Sequence, residues 1–337
     1  MELTSLNLSL DALRQTDFPA VAPGGAYDLA IVGGGPAGLT AGIYAARKRV
    51  PAIMVTHDLG GQVLWTSSVE NYPGYNLVQG RDLVEKFKAQ VAQFPIAVAQ
   101  GQRVARIEPQ NGRFRIVTES GVEHFSQAVL LATGKRYRSL GVPGEKELIG
   151  RGVAYCATCD APLFQDKTAA VVGGGNSALT SAGDLLKYAA KVYVISNMAA
   201  LSGDAVLQEP LRKSGKVEFL MSTTVLEIHG TDKVESITVS NGANDGQRTI
   251  AVSGVFVEIG LIPNSEPFRD LVDLNQRGEI VVDCACRTSR PGVFAAGDVT
   301  TVPAKQIVVA AGEGAKAALT AFDWLARGGP PQAAGEP

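Results

Sequence analysis

An apolar strand at about Tyr27 to Val32, a glycine turn, a helix from Pro36 to about Arg47 and an apolar strand from Pro51 to Val55 form the first patterned stretch of the chain. Pro36 suits the first helical turn, where its missing N–H leaves no bond unmade. The stretch reads as a β-turn-α-β unit. Its pattern returns about 140 residues later, where Ala170-Val171-Val172-Gly173-Gly174-Gly175-Asn176-Ser177-Ala178 resembles Ala30-Ile31-Val32-Gly33-Gly34-Gly35-Pro36-Ala37-Gly38. A helix to about Tyr188 and a strand from Lys191 to Ile195 follow. This spacing is too long for a solenoid and predicts two nucleotide-binding units of one architectural type. Other apolar strands end in glycine at Ala128 to Gly134, Val255 to Gly260 and Gly292 to Gly297, and a long helix is expected from about Gln306 to Leu325. The strand ending in Gly297-Asp298 reads as a return to the first unit. The expected fold is therefore α/β, with two Rossmann-like, doubly wound, three-layer domains, the second inserted into the first. The divisions are a leader at 1–26, a first domain from 27–137 and 263–327, a central domain at 138–262 and a flexible Gly/Pro/Ala-rich tail at 328–337.

Composition narrows the function. The length of 337 residues agrees with two domains. A net charge of −2 points to neither a nucleic-acid binder nor a polybasic membrane protein. No apolar run is long enough to span a bilayer, and Met1 to Ala26 lacks the basic start and apolar block of a signal peptide. A cytoplasmic location is expected. The four cysteines fall as Cys156-x-x-Cys159 and Cys284-x-Cys286, which reads as redox or metal chemistry and not as a disulfide framework.

Gly33-x-Gly35-x-x-Gly38 between a strand and a helix is the dinucleotide fingerprint: Gly33 for the tight turn, Gly35 for approach of a pyrophosphate, Gly38 for helix–strand packing. The helix N-terminus adds N–H donors and a positive dipole end. Cys156-Ala157-Thr158-Cys159-Asp160 can close a small reducible disulfide at a turn entering a helix, where the helix N-terminus would favour the thiolate. Asp160 is placed to shuttle the proton that thiolate chemistry needs. The competing reading, half a zinc site, needs two further ligands. Only Cys284, Cys286 and the scattered His57, His124 and His229 remain for it, so no metal is expected. Asp298, just after a strand-end glycine, can hydrogen-bond a hydroxyl of a bound cofactor; a turn or capping Asp is the plain alternative. A helix starting near Gln306 would offer the positive end of its dipole to negative charge on such a cofactor. Cys284 and Cys286 lie on an expected strand, Glu279 to Cys286, facing the same side as structural cysteines.

Gly60-Gly61-Gln62, Val69-Glu70-Asn71-Tyr72-Pro73-Gly74, Ala132-Thr133-Gly134 and Gly292-Val293-Phe294-Ala295-Ala296-Gly297-Asp298, together with Cys-Ala-Thr-Cys-Asp, resemble low-molecular-weight thioredoxin reductase in order over nearly all of 27–326. The resemblance implies FAD held by Gly33, Gly35, Pro36, Ala37, Gly38, by Thr56, Gly60, Gly61, Gln62 and Asn71, by Ala132, Thr133 and Gly134, and by Gly297, Asp298, Lys305, Gln306 and Ile307. It implies that Cys159 faces the flavin, that Cys156 attacks a thioredoxin-like partner and that Asp160 is the acid/base group. A homodimer and a second domain that swings between flavin-facing and partner-facing positions are implied as well. Residues 297–306 and 311–317 look most like the flavoprotein subunit of alkyl hydroperoxide reductase, an NADH enzyme with an extra N-terminal dithiol domain. Residues 1–26 hold no cysteine, so this second likeness is expected to concern the shared scaffold more than the peroxide pathway.

The chain departs from the family at the second glycine motif. NADPH recognition needs cations for the 2′-phosphate, and NADH recognition an acid near the strand end. Ser196-Asn197-Met198-Ala199-Ala200-Leu201-Ser202 supplies neither; no Lys or Arg occurs from Val192 through Leu211, and the first acid is Asp204. The lead expectation is a thioredoxin-reductase-like enzyme whose donor is not NADPH, with ferredoxin a candidate. Arg47-Lys48-Arg49 or Lys135-Arg136-Arg138 could dock an acidic ferredoxin. The alternatives are an NADH-dependent reductase of a thioredoxin or peroxiredoxin system, a flavin dithiol oxidase using oxygen, and a flavin-bearing redox sensor.

Overall fold

The computed structural model describes residues 18, 21, 25–66, 69–241 and 246–328; the expected leader and tail lie almost wholly outside them. The chain opens with β1 (Ala26–Gly34), α1 (Pro36–Arg47) and β2 (Ala52–Leu59), then α2 (Gly80–Val91), β3 (Ala97–Gln100), β4 (Val104–Gln110), β5 (Arg113–Thr118) and β6 (Glu123–Leu131). The parallel order is β3-β2-β1-β6. Beyond β6 the sheet branches. The antiparallel β5 and β4 continue from its start, while its end pairs in parallel with a strand from much later in the chain.

Two short strands connect this unit to the next: β7 (Lys135–Tyr137) leaves, and β16 (Leu261–Pro263) returns antiparallel to it. Between them lie β8 (Val153–Ala154), α3 (Ala157–Asp160), β9 (Thr168–Val172), α4 (Asn176–Leu185), β10 (Lys191–Ile195), α5 (Ala205–Lys213), β11 (Val217–Leu220), the antiparallel β12 (Thr224–His229), β13 (Ser236–Ser240) and β14 (Gln247–Ala251), and β15 (Gly254–Val257). The second parallel sheet runs β11-β10-β9-β15-β8. After β16 the chain gives the late strand β17 (Val293–Ala295), which joins β6 in the first sheet, and α6 (Ile307–Ala326). The fold is thus α/β with two Rossmann-type units, and the first is completed by residues on both sides of the second.

The strands at the centre of each sheet are apolar because both faces are covered. Leu29 to Val32, Ala128 to Leu131 and Ala169 to Val171 are almost fully buried. In the first unit α1 and α6 pack on one face, with Ala37, Ala41, Ala45, Ala317 and Ala321 in a common core. Small residues let these helices approach: a Cβ at Gly314 would lie 2.0 Å from the Ala37 carbonyl oxygen.

Two expectations change. The helix after the second glycine motif ends at Leu185, and a turn carries the chain to Tyr188. The expected strand Glu279 to Cys286 is not formed; apart from two isolated bridges at Ile280, to Leu274 and Thr300, the segment is irregular. The cause is Asp283. Its carboxylate accepts the N–H groups of Ala285 and Arg287 at 2.9 Å each, and its carbonyl accepts the Cys286 N–H at 3.0 Å. This side-chain-to-backbone turn competes with strand pairing and sets Cys286 at φ 64°.

Substituting Gly314→Val should destabilise the protein by about 1–3 kcal/mol, because a branched side chain cannot enter the α1–α6 contact without moving a backbone. A urea midpoint equal to that of the parent protein would show that the crossing is looser than described.

Candidate redox-active site

At the end of β1 the chain turns sharply. Gly33 has φ 114°, and a Cβ there would lie 2.3 Å from the Ala132 carbonyl oxygen; one on Gly38 would lie 1.9 Å from the Gly33 carbonyl oxygen. Only glycine permits both the turn and the approach of α1 to it. At Gly35 the opposite holds, since nothing lies within 4 Å of an added Cβ. The turn therefore packs on one side and leaves open space on the other, at the N-terminus of a 12-residue helix begun by Pro36. Backbone amides and the helix dipole can meet an anionic pyrophosphate there.

Of the residues singled out with this turn, Thr56, Gly60, Gly61, Ala132 and Gly297 adjoin it. Thr56 is buried and donates its hydroxyl to the Asp58 carbonyl at 2.6 Å; Gly60 donates its N–H to the Gly34 carbonyl at 2.8 Å; Asp58 accepts the Gly61 N–H at 3.0 Å. These bonds bring the Gly60-Gly61 turn over Gly35. Gln62 donates to the Lys135 carbonyl. Thr133 and Asn264 exchange two hydrogen bonds of 2.8 Å, which tie the Ala132-Thr133-Gly134 turn to the returning chain. Asn71 donates to the Gln306 side chain at 3.1 Å, just ahead of Ile307 at the start of α6. Gly297 abuts Ala37, and Asp298 follows it, partly buried. Burial raises the Asp298 carboxyl, while Lys305 and Lys135 oppose the rise. Lys305 donates to the Thr300 carbonyl at 2.6 Å and stands 3.5 Å from Glu279.

Lys135 corrects one expectation. It is buried and its ammonium is 2.5 Å from Glu279, so it is no part of an exposed basic docking cluster. Arg136, beside it, is exposed and donates to Asn264. The sequence places Lys135, Arg136 and Arg138 within four positions, but the alternation of β7 sends the first inward.

Cys156 and Cys159 are joined as a disulfide with Cα atoms 5.3 Å apart. Cys156 caps a helix of four residues, Ala157–Asp160, continued by a 3-10 turn at Ala161–Phe164. So short a helix adds little dipole to the thiolate, in contrast to the expected helix entry. The stronger polar feature is Asp160. It is buried, its Oδ1 finds no hydrogen-bond partner among the described residues, and burial pushes its carboxyl up to about 7. A carboxyl of this kind holds or releases a proton at neutral pH. The dithiol turn leans on α4, where Thr158 donates to Asp184 at 3.4 Å.

Three residues not singled out in the sequence complete the surroundings. Tyr155, next to Cys156, stacks on Tyr137 with ring centroids 4.5 Å apart and donates its hydroxyl to Glu145 at 2.9 Å. Tyr137 titrates well above a normal phenol, through burial and then through the charges of Asp298, Glu258 and Asp160. Glu258, at the end of β15, accepts the Ser181 hydroxyl at 2.5 Å, and burial pushes it up to about 7. No local motif marks these positions; an acid directly after an apolar strand was the available signal.

The other cysteines are separated by their turn. Cys284 is exposed. Cys286 is fully buried; its thiol faces the Glu313 carboxylate at 3.4 Å and is pushed up to about 12, by burial first and then by that charge. Buried and protonated, Cys286 fits the expected structural role.

A disulfide beside a buried acid, carried by one of two Rossmann-type units with glycine turns, defines a pyridine-nucleotide-type disulfide oxidoreductase scaffold. The chain belongs to the Pyridine nucleotide-disulphide oxidoreductase family, which it matches over residues 27–314. It is 45% identical over 305 residues to the F component of alkyl hydroperoxide reductase in Pseudomonas putida, covering 90% of this chain and 59% of that protein. The chain thus spans well under two thirds of that relative's length. Its structure superimposes on thioredoxin reductase from Streptococcus pyogenes MGAS5005 with a TM-score of 0.85 and 36% identity, covering 90% of this chain and 99% of the other. Thioredoxin reductase from Giardia duodenalis gives a TM-score of 0.83 at 33% identity, over 89% and 99% of the two chains.

Two outcomes follow from these environments. In the native oxidised protein a thiol reagent should label Cys284 but not Cys286, which should react only after denaturation; rapid native labelling of two thiols would contradict the burial. Asp160 binds its proton more tightly folded, at about 7, than unfolded, near 3.8. Between those values the native state holds more protons, so stability falls as pH rises. Asp160→Asn should flatten that fall, as read from urea midpoints at a series of pH values; an unchanged slope would place the dependence elsewhere.

Proposed function

We propose that this chain is an FAD-dependent disulfide oxidoreductase that passes electrons through Cys159 and Cys156 to the disulfide of a thioredoxin-like protein, from a donor other than NADPH. The observation that carries the reading is the Cys156–Cys159 disulfide beside buried Asp160, next to Tyr155, which stacks on Tyr137 of the connecting strand β7. Gly33, Gly35, Gly38, Gly61 and Asp298 would hold the dinucleotide, with the open face at Gly35 receiving its pyrophosphate. Bound there, FAD would supply two-electron exchange with the disulfide. Cys156, the residue outside the dithiol helix, would attack the partner disulfide, and Asp160 would hold the proton exchanged with the sulfurs.

The reading of the donor rests on the second crevice. β10 is followed by Ser196, which is buried and accepts the Met198 N–H at 3.2 Å, and the exposed Asn197, Met198, Ala199 and Ala200 after it are uncharged. The cations that flank this stretch in sequence are engaged elsewhere: Lys191 pairs with Glu218 at 2.7 Å, Arg212 lies over the Phe219 ring, and Lys213 pairs with Glu209 at 2.5 Å. A 2′-phosphate would find no bidentate partner on this segment. Reduced ferredoxin is a donor that needs no such site, and with Lys135 turned inward the candidate docking cations are Arg47, Lys48 and Arg49, all exposed.

Cys159→Ser should abolish reduction of a thioredoxin-like disulfide while the protein keeps its flavin; retained turnover would sink the assignment. For the donor, anaerobic bleaching of the bound flavin by photoreduced ferredoxin, NADH and NADPH should be fast with ferredoxin and slow with NADPH. Fast bleaching by NADPH would overturn the reading of the second crevice, and fast bleaching by NADH alone would favour the NADH-dependent reductase.

A further inference from the structure

The two sulfurs of the dithiol centre are carried differently. Cys159 lies inside the dithiol helix, which Ala157 and Ala161 pack into the core of the second unit. Cys156 is extended, with φ −145° and ψ 101°. The strand before it is short: β8 pairs with β15 through Val153 and Ala154, and Tyr155 and Cys156 follow beyond that pairing. The sheet therefore stops short of the residue that carries the first sulfur, and a side chain must hold it.

Tyr155 is that side chain, and Glu145 is its anchor. Glu145 is 1% exposed, and a carboxylate so enclosed needs hydrogen-bond donors. Three reach it. Its Oε1 accepts the Tyr155 hydroxyl and the Leu140 N–H at 2.9 Å each, and its Oε2 accepts the Gly141 N–H at 2.8 Å. The turn that bears Glu145 is itself fixed in the second unit. The Pro143 carbonyl accepts the Ile228 N–H at 3.0 Å, and Gly144, at φ 82°, has no room for a Cβ, which would stand 1.9 Å from the Ile228 carbonyl oxygen. The Tyr155 ring also lies on Tyr137 of β7, 23° from parallel. Burial first, and then the bond to Glu145, raises the phenol above its ordinary range, so it stays a donor. Tyr155 is thus held at its hydroxyl by one side of the second unit and at its ring by the connecting strand.

We propose that Glu145 and Tyr155 are positioning residues of the dithiol centre, holding Cys156 within reach of Cys159 and so favouring the disulfide over the dithiol. The inference rests on the redox reading of Cys156 and Cys159 given above. When two glutathione thiols reduce the pair, one protein S–S bond breaks and one glutathione disulfide forms. The two electrons and two protons given up by the glutathione thiols end in two S–H bonds, on Cys156 and Cys159. The position of that equilibrium measures how concentrated each protein sulfur is around the other. Freeing Tyr155 lets Cys156 range more widely in the reduced protein, lowers that effective concentration and moves the balance toward the dithiol. Neither residue takes part in the exchange itself.

The test equilibrates the flavin-containing protein anaerobically with glutathione buffers of graded ratio, quenches in acid and counts free Cys156 and Cys159 by alkylation and mass spectrometry. Urea midpoints are measured in parallel. Tyr155→Phe keeps the ring and loses the donor, and should lower the equilibrium constant for disulfide formation about threefold. Tyr155→Ala loses both contacts and should lower it roughly tenfold or more. Glu145→Gln should lower it at least as far as Tyr155→Phe. Val239→Ala, which opens a cavity in the core of the same unit, should lower the urea midpoint and leave the constant at the parent value. Should Tyr155→Ala fail to fold, Tyr155→Phe and Glu145→Gln carry the test. Parent constants in those two variants overturn the inference, as does an equal fall in Val239→Ala, which would make the effect one of stability alone. A parent disulfide that neither glutathione nor dithiothreitol reduces would instead defeat the proposed function itself.

Discussion

Two strands of three residues each, Lys135–Tyr137 and Leu261–Pro263, connect the two units of this molecule. The relation of the dithiol turn to the rest of the protein depends on this narrow pairing. It is braced from the first unit by the buried Lys135–Glu279 ion pair, which Lys305 and Asn275 also contact, and by the double hydrogen bond between Thr133 and Asn264. A buried ion pair adds little net stability, yet losing one partner leaves an uncompensated charge. Here it fixes the direction of β7, so Lys135 points into the first unit and Tyr137 is set against Tyr155 beside the disulfide.

Environment, more than residue type, separates the four cysteines. Cys156 and Cys159 sit at the start of a one-turn helix, beside a carboxyl that burial brings to the range where protons move at neutral pH. Cys286 has a carboxylate neighbour too, but Glu313 is also held by Lys316 at 2.6 Å, and burial with the added negative charge keeps the thiol protonated. Cys284, two residues away, points outward because the Asp283 turn reverses the chain between them.

The two glycine crevices are alike in backbone and different in lining. The first leaves Gly35 open and draws the Gly60-Gly61 turn over it. At the second, the Ser202 and Gly203 N–H groups donate to the Gly174 carbonyl at 2.9 and 3.0 Å, so the 201–204 segment is drawn close to the turn, and Ser196 is bound to its own loop. A shared strand-turn-helix geometry does not by itself impose a shared ligand.

The sequence by itself determined what depends on local chemistry. Gly33 and Gly38 announced a turn and a helix approach that no other residue can make, Pro36 announced a helix start, and the spacing of Cys156 and Cys159 allowed a disulfide. Runs of apolar residues ending in glycine announced buried parallel strands. The tertiary structure alone decided what depends on residues distant in the chain. Asp160 is unusual because packing removes water from it, Lys135 turns inward because Glu279, 144 residues away, is there to receive it, and Tyr137 lies opposite Leu261 because β16 returns beside β7. Even the Cys284–Cys286 segment, where Asp283 was a local turn signal, read as a strand until the backbone bonds to Asp283 were seen. Spacing along a chain reports covalent reach and local conformation; burial and charge are set by what the fold packs alongside.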